Sequence, residues 1–455
     1  MKRYLTGQVV TREKIDEAEA FYSAHFPYPM FPRDKWEYIL EKHGGKLPII
    51  IRSVPEGTVV PYKNVLMTVE NTDPECFWLT NYLETLLVQV WYPMTVASNS
   101  REQKKACFTS LSETSDADLS NPLSWMFMLN DFGFRGVSSV ESASIGGAAH
   151  LVNFRGGDTV AANVLLAYYY GADPRVEGQQ IGGYSVAASE HSTMTSWGPE
   201  HEYEAFENML LTWPTGPVAC VSDSYNIWKA CGVYRTKDGV AVSAHEEGSE
   251  WDFDTEVWGT GWASPKLKSL IMGRDAATGG RLVVRPDSGH PETVDLRILE
   301  ILGDERSFGH TVNSKGFKVL PDQIRILQGD GIDYLSIAKI LKFLKVSACA
   351  REDWRAAVAA SLLDRFRFVR PFPPPSLPRA HTRARACTHT LRACRRASAL
   401  THAHTTHARS RTPPLFLHLS PALFSVHRAV QHNGRTPAGA RRTLTLEAAA
   451  ACCRR

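Results

Sequence analysis

The 455-residue chain has no run of about 18 apolar residues, so no segment reads as a membrane-spanning helix. Its opening residues, MKRYLTGQVVTREKIDE, lack the apolar stretch of a secretion signal, and export is not expected. Nine cysteines are present, but none within residues 1–370 stand at CxxC spacing. Neither a disulfide framework nor a zinc motif is legible, so no metal ligands are expected and a reducing, cytoplasmic compartment fits. The end of the chain is almost without acid. Residues 371–455 hold 14 Arg, no Lys, no Asp and one Glu, Glu447, a net charge of +13. Residues 1–370 carry 37 basic and 47 acidic side chains, a net −10, so the overall +3 describes the tail and not the body.

What is present suits a folded enzyme-sized body. Apolar residues make up 43%, charged residues 22% and aromatics 10%, which is ample for a core and excludes fibrous or wholly disordered classes. Length alone fits two or three domains, or one α/β barrel with additions.

Residues 12–26 read as a helix with Thr11 as N-cap, Ile15, Ala18 and Phe21 on one face, and Pro27 as the stop. A second helix spans 35–43 and ends at Gly44-Gly45. LPIIIRSV and TVVPYKNVLMTVE read as strands about a Pro55-Glu56-Gly57 turn. Trp78, Tyr82, Leu86 and Val90 then mark a helical stripe, read as core. Residues 1–125 are thus an α+β portion with long helices.

From about 126 the rhythm changes. HLVNF (150–154), GYSVAA (183–188), PVACVS (217–222), RLVVR (281–285) and IRILQ (324–328) read as strands. NVLLAYYYG, HEYEAFENMLLTW, ETVDLRILEILG and DYLSIAKILKFL read as helices between them. Strand–helix alternation implies a parallel sheet with right-handed crossovers, and successive units favour a barrel. The acidic, Trp-rich stretch 232–280 reads as a surface excursion within a partial barrel of residues 126–345. PFPPPSLP breaks any helix, and 346–455 reads as a low-complexity, disordered tail. Fourteen Arg would attract phosphate, but no nucleic-acid-binding module is present and no specific nucleic-acid partner is expected.

The chemistry-bearing residues come directly after the strands. Asp158 comes after HLVNF, Glu190-His191 after GYSVAA, Asp223 after PVACVS, Asp287 beside Arg285, and Gly329-Asp330 after IRILQ. In a parallel barrel all of these reach the rim at the strands' C-terminal ends, where barrel sites form. One such Asp is ordinarily a helix N-cap, and a lone His is ordinarily a hydrogen-bonded core residue. Five acidic positions in succession, mixed with His191, Arg135 and Arg285, exceed what capping needs. Arg grips phosphate, and Asp binds ribose hydroxyls or Mg²⁺. A carboxylate-held His serves as base or nucleophile. The residues reach a phosphosugar-handling barrel. A glycosidase using Glu190 and Asp223 is the competing enzyme class, disfavoured because a neutral sugar needs no Arg pair.

The stretches NTDPECFWLTNYLETLLVQVWYPMTVASNSREQKK, DFGFRGVSSVESASIGGAAHLVNFRGGDTVAA, GYSVAASEHSTMTSWG, VSDSYNIW, VVRPDSGHPETV and LQGDGID resemble the nicotinate/nicotinamide phosphoribosyltransferase family over residues 5–340, apart from 232–280. The resemblance implies an irregular, incomplete (β/α) barrel of the type II phosphoribosyltransferase kind. It implies phosphoribosyl transfer from phosphoribosyl pyrophosphate to nicotinamide in NAD salvage, giving nicotinamide mononucleotide and pyrophosphate. ATP would phosphorylate His191, Mg²⁺ would accompany the phosphates, and the assembly would be the family's homodimer, weakened in this chain. Glu190, Asp223 and Asp287 match the carboxylates around that His. Arg135, His191 and Arg285 match diphosphate-binding positions, and Phe132 matches the ring-stacking aromatic. Asp158, Arg285, Pro286, Asp287, Gly329 and Asp330 match substrate contacts. Asp158 also favours nicotinamide, because a carboxylate accepts a carboxamide N–H and repels nicotinate by about 4 kcal/mol at 4 Å. The chain matches the family from inside its N-terminal region. It lacks the Gly-Ser-Gly-Gly-Gly-type loop that cradles the ribose 5′-phosphate beyond about 345, so open barrel edges are expected. The alternative readings are an inactive fragment or non-catalytic relative, or nicotinate as substrate.

Overall fold

The computed structural model describes residues 2–237, 240–241, 255–330, 332–350 and 366–370. No helix among them is long and apolar enough to cross a membrane.

The N-terminal portion obeys its local signals. Thr11 sits in an extended conformation, and its side chain accepts a bond from the Lys14 amide at the start of helix Arg12–His25. Helix Arg33–His43 ends on Gly44 at φ 59°, a left-handed cap that costs glycine little. Strands Ile49–Ser53 and Met67–Asn71 pair antiparallel. Together these elements bury Val10, Ile15, Ile39, Cys76, Leu79, Leu83 and Leu87. The expected stripe is displaced by one residue: the buried row is Leu79, Leu83 and Leu87, whereas Tyr82 is 45% exposed. Two neighbouring rows there are both apolar, so period alone did not choose between them. The segment is also broken into Leu79–Tyr82 and Glu84–Val88 before the long helix Trp91–Thr114.

The larger portion is built on seven strands in the order Gly156–Gly157, Leu129–Asp131, Phe366–Arg370, Ile324–Gln328, Arg281–Arg285, Pro217–Val221 and Ala187–Ala188. Every neighbouring pair is parallel. A further parallel bridge, Gly156 to Tyr184, ties the two outer segments together and closes the sheet into an irregular ring that has, among the described residues, one strand fewer than the eight of a regular (β/α) barrel. Helices Val140–His150, Val160–Tyr170, Glu202–Thr212, Pro291–Gly303 and Tyr334–Ala350 alternate with the strands. Val218, Cys220, Leu282, Val284, Ile324 and Ile326 pack into the large core with residues of these helices. Ala219, Val283 and Leu327 form a separate small cluster with Phe132 packed on it. The alternation along each strand assigns the two sets to opposite faces, and the second set fills the ring.

Three expectations are corrected. HLVNF is not a strand. His150 ends a helix, Leu151–Asn153 turn, and the strand of that unit is Gly156–Gly157. The open edge expected beside Ile324–Gln328 is filled by Phe366–Arg370, which lies inside the stretch read as disordered tail. FRFVR is rich in strand-favouring residues, but its Pro-rich flank dominated the composition. The stretch 232–280 is only partly a surface feature. Val233–Lys237 pairs antiparallel with Thr255–Trp258, and Trp262, Leu267 and Ile271 beyond them are fully buried in the large core. Trp262 stacks on Phe206 with centroids 4.0 Å apart. Residues 346–350, also read as tail, end helix Tyr334–Ala350, and the remainder of the tail lies outside the described residues.

Candidate active site at the barrel mouth

Main-chain bonds continue just past the strands and fix the rim. The Asp158 amide donates to Asp131 O (2.9 Å), Ser189 N to Ala219 O (2.9 Å), Ser222 N to Arg285 O (3.0 Å) and Gly329 N to Pro286 O (3.0 Å). Each residue expected to bear chemistry therefore sits at or beside an ordered backbone position at the C-terminal ends of the strands.

His191 opens the short helix His191–Thr195, preceded by Glu190, whose amide donates to Thr193 Oγ1. Its Nε2 lies 2.9 Å from Asp223 Oδ1, and its Nδ1 lies 3.9 Å from Asp287 Oδ2. The Asp223 side chain is only 5% exposed. Its other oxygen accepts from the Asp287 amide (2.9 Å) and from Ser288 Oγ (2.6 Å). Asp223 is thus an orienting carboxylate whose acceptor sites are matched to donors. Trp262 buttresses this strand end by donating to Ser222 Oγ at 3.1 Å.

Two guanidinium groups share one carboxylate. Glu190 stands 3.2 Å from Arg135 and 3.6 Å from Arg285. Arg285 is 4% exposed and its Nε has no hydrogen-bond partner among the described residues, whereas the Arg135 side chain is largely open. A buried guanidinium with spare donors beside a half-exposed carboxylate is an arrangement that an incoming anion can enter.

Burial pushes the Asp287 carboxyl above the ordinary carboxylate range. Arg285 and His191 oppose that rise, and the carboxylates of Asp223 and Asp330 add to it. Asp158 is open to the mouth yet enclosed by protein on most sides, and this enclosure raises its carboxyl too. The hydrogen bond from Ser185 Oγ and the charge of Arg285 work against the rise. Gly329 has no room for a side chain: a Cβ there would lie 1.8 Å from Asp287 Oδ1. Phe132 packs over the inner cluster of Ala219, Val283 and Leu327.

All the residues singled out from the sequence therefore meet at one mouth: Phe132, Arg135, Asp158, Glu190, His191, Asp223, Arg285, Pro286, Asp287, Gly329 and Asp330. The structure adds Ser185 on Asp158, Ser288 on Asp223, and the Ser222–Trp262 bond behind it. Ser288 lay within the RPDSG stretch, but nothing in its spacing announced the contact. Together the groups can bind an anion through Arg285 and Arg135, hold an imidazole in a fixed orientation, and stabilise positive charge with several carboxylates.

Comparison with known proteins agrees with this geometry. Residues 127–350 match the model of the nicotinate phosphoribosyltransferase (NAPRTase) family, and residues 1–51 match that of the nicotinamide phosphoribosyltransferase N-terminal domain. A Xanthomonas campestris pv. campestris (strain 8004) protein named nicotinamide phosphoribosyltransferase is 42% identical over 358 residues, 78% of this chain and 66% of that protein. A protein of the same name from Acinetobacter baylyi is 30% identical over 324 residues, 68% of this chain and 56% of that protein. The chain thus spans between 56% and 66% of the length of these two relatives. With both family models matched and the rim residues converged within one parallel barrel, the chain belongs to the nicotinate phosphoribosyltransferase family.

Proposed function

We propose that this barrel mouth transfers a phosphoribosyl group from phosphoribosyl pyrophosphate to nicotinamide, releasing pyrophosphate and nicotinamide mononucleotide for NAD salvage. The observation that carries the reading is the meeting of the Arg135–Glu190–Arg285 cluster with the His191–Asp223–Asp287 cluster at one rim. Arg285 and Arg135 would hold the pyrophosphate and take up the charge that develops as it leaves. The anomeric carbon becomes cationic in such a displacement, and the carboxylates of Asp287 and Asp223 would stabilise it. The pyridine nitrogen carries its own lone pair, so no general base is needed for attack. That leaves His191 available for phosphorylation by ATP. With Nε2 held by Asp223, Nδ1 is the nitrogen left to accept the phosphoryl group.

Mg²⁺ fits the same rim. Asp287 and Asp330 offer hard oxygen donors, and the rise in the Asp287 carboxyl caused by burial and by Asp223 and Asp330 is relieved by a divalent cation. When bound, the ion would neutralise phosphate charge. Asp158 selects the amide substrate by accepting its N–H. The family homodimer and a cytoplasmic setting complete the proposal.

The test is nicotinamide-dependent pyrophosphate release by the full chain, with His191→Ala as control and acid-labile label from γ-labelled ATP as a second readout. Release that needs nicotinamide and falls in His191→Ala supports the reading. Absent release from the wild type favours a non-catalytic relative. Unchanged release and labelling in His191→Ala would remove His191 from its role.

A further inference from the structure

We propose that His43, Asp73 and Cys76, in the N-terminal portion and apart from the barrel mouth, form a binding site for Zn²⁺. Three different donor chemistries converge there. His43 is the last residue of helix Arg33–His43, Asp73 precedes the turn Pro74–Cys76, and Cys76 closes that turn. One ligand atom from each lies within 4.8 Å of the other two.

Asp73 is already positioned as a ligand would be. Its Oδ1 accepts from the Glu75 amide at 3.0 Å, which fixes the carboxylate plane. Its Oδ2 faces His43 Nε2 at 2.7 Å and accepts from Tyr38 OH at 3.0 Å. The Tyr38 hydroxyl is a supporting donor of the kind that orients metal-bound carboxylates. Cys76 is fully buried and makes no disulfide, and no hydrogen bond engages its thiol among the described residues.

A His–Asp hydrogen bond accounts for two of these groups, and core packing accounts for the third taken alone. Neither requires the thiol to stand beside the pair. An ion accounts for all three. Zn²⁺ binds sulfur at about 2.3 Å and nitrogen or oxygen at about 2.0–2.2 Å, which puts neighbouring tetrahedral ligand atoms roughly 3.2–3.7 Å apart. The His43–Asp73 contact opens by about half an ångström to meet that requirement, with the thiol already within 4.8 Å of both partners. The mixed sulfur, nitrogen and oxygen set selects a borderline-soft ion over Mg²⁺ or Ca²⁺. On binding, the His43 ring proton shifts from Nε2 to Nδ1 so that Nε2 can ligate, the Cys76 sulfur–metal bond forms as the thiol proton leaves to solvent, and water fills the fourth position.

Co²⁺ is the probe, because a thiolate–cobalt bond gives a charge-transfer absorption that no other ligand here produces. The background is the full chain with Cys387, Cys394, Cys452 and Cys453 changed to Ser, so that tail thiols cannot contribute. The expected result is a saturable thiolate–cobalt band that Zn²⁺ abolishes. Cys76→Ser removes the band, His43→Gln weakens Co²⁺ binding at least about tenfold, and Cys107→Ser leaves both unchanged. Circular dichroism checks folding, and if Cys76→Ser does not fold, the His43→Gln affinity decides. No band in the background protein, a band that persists in folded Cys76→Ser, or unchanged affinity in His43→Gln overturns the proposal.

Discussion

Replacing Asp158 with Asn should erase discrimination between nicotinamide and nicotinate while leaving the mouth otherwise intact. The side chain keeps its shape, and its oxygen can still accept from Ser185 Oγ, so the bond that holds Asp158 survives. Only the charge is lost. Two unit charges 4 Å apart in a medium of effective dielectric about 20 repel by about 4 kcal/mol. Asp158 is open to the mouth, so solvent screens part of this. About half is a fair expectation, about 2 kcal/mol, or roughly 30-fold in the ratio of dissociation constants.

The raised Asp158 carboxyl sets the sign with pH. Above its raised value the group is charged and repels nicotinate fully. As pH falls through that value the carboxyl takes up a proton and the preference fades. Nicotinate titrates in the acid range as well, so Asp158→Asn is measured in parallel and the difference between the two proteins is read. Isothermal titration of each ring compound suffices, and no turnover is needed. An equal nicotinamide-to-nicotinate ratio in wild type and Asp158→Asn at neutral pH would refute the assignment of Asp158 as the selecting group.

Gly329→Ala forces a methyl to within 1.8 Å of Asp287 Oδ1, so Asp287 must leave its position; phosphoribosyl pyrophosphate binding should fall by at least about 100-fold by titration, and an unchanged affinity would show that Asp287 is not a contact. Asp223→Asn removes the charge from the acceptor of three hydrogen bonds, each worth about 1.5–3 kcal/mol when charged, so phosphate uptake by His191 from labelled ATP should drop by about 10- to 100-fold. Burial pushes the Glu202 carboxyl up to about 7, with Asp223 adding and Lys229 opposing. A raised carboxyl contributes stability that is full below its unfolded value and is lost as pH rises through about 7, so Glu202→Gln should flatten this decline and raise the free energy of unfolding at pH 8 by at most about 3 kcal/mol. Equal pH slopes in urea titrations of Glu202→Gln and wild type would contradict it.

What could be read from the sequence depended on whether side chains carry the pattern. Pro217–Val221, Arg281–Arg285 and Ile324–Gln328 were legible because each is a run of apolar residues bounded by polar ones. Ala187–Ala188 was read as the end of GYSVAA, but Gly156–Gly157 was not legible, since a two-residue glycine strand leaves no periodic signal although its backbone makes the same ladder bonds. Asp158, His191, Asp223, Arg285 and Asp287 were legible as a site because parallel strands deliver the residues at their C-terminal ends to one rim. Ser185, Ser288 and the Trp262–Ser222 bond were hidden: a hydroxyl contact between residues distant in sequence has no spacing to betray it.

The same distinction separates the site into two halves that can fail independently. The groups at the described mouth come from the segments 129–158, 185–223 and 285–330, and backbone bonds among these segments fix the rim. Phe366–Arg370 closes the ring between Ile324–Gln328 and Leu129–Asp131 but contributes none of these groups. The glycine-rich run expected for a ribose 5′-phosphate is absent from the sequence. Ring recognition at Asp158 and the His191–Asp223 pair should therefore survive in this chain, while phosphoribosyl pyrophosphate, held through Arg135, Arg285 and Asp287 without that run, should bind weakly. Titration of the two ligands separately checks this. Tight sugar-phosphate binding would mean that another part of the chain supplies the 5′-phosphate contact, whereas loss of nicotinamide binding would mean that the rim depends on more than its own backbone bonds.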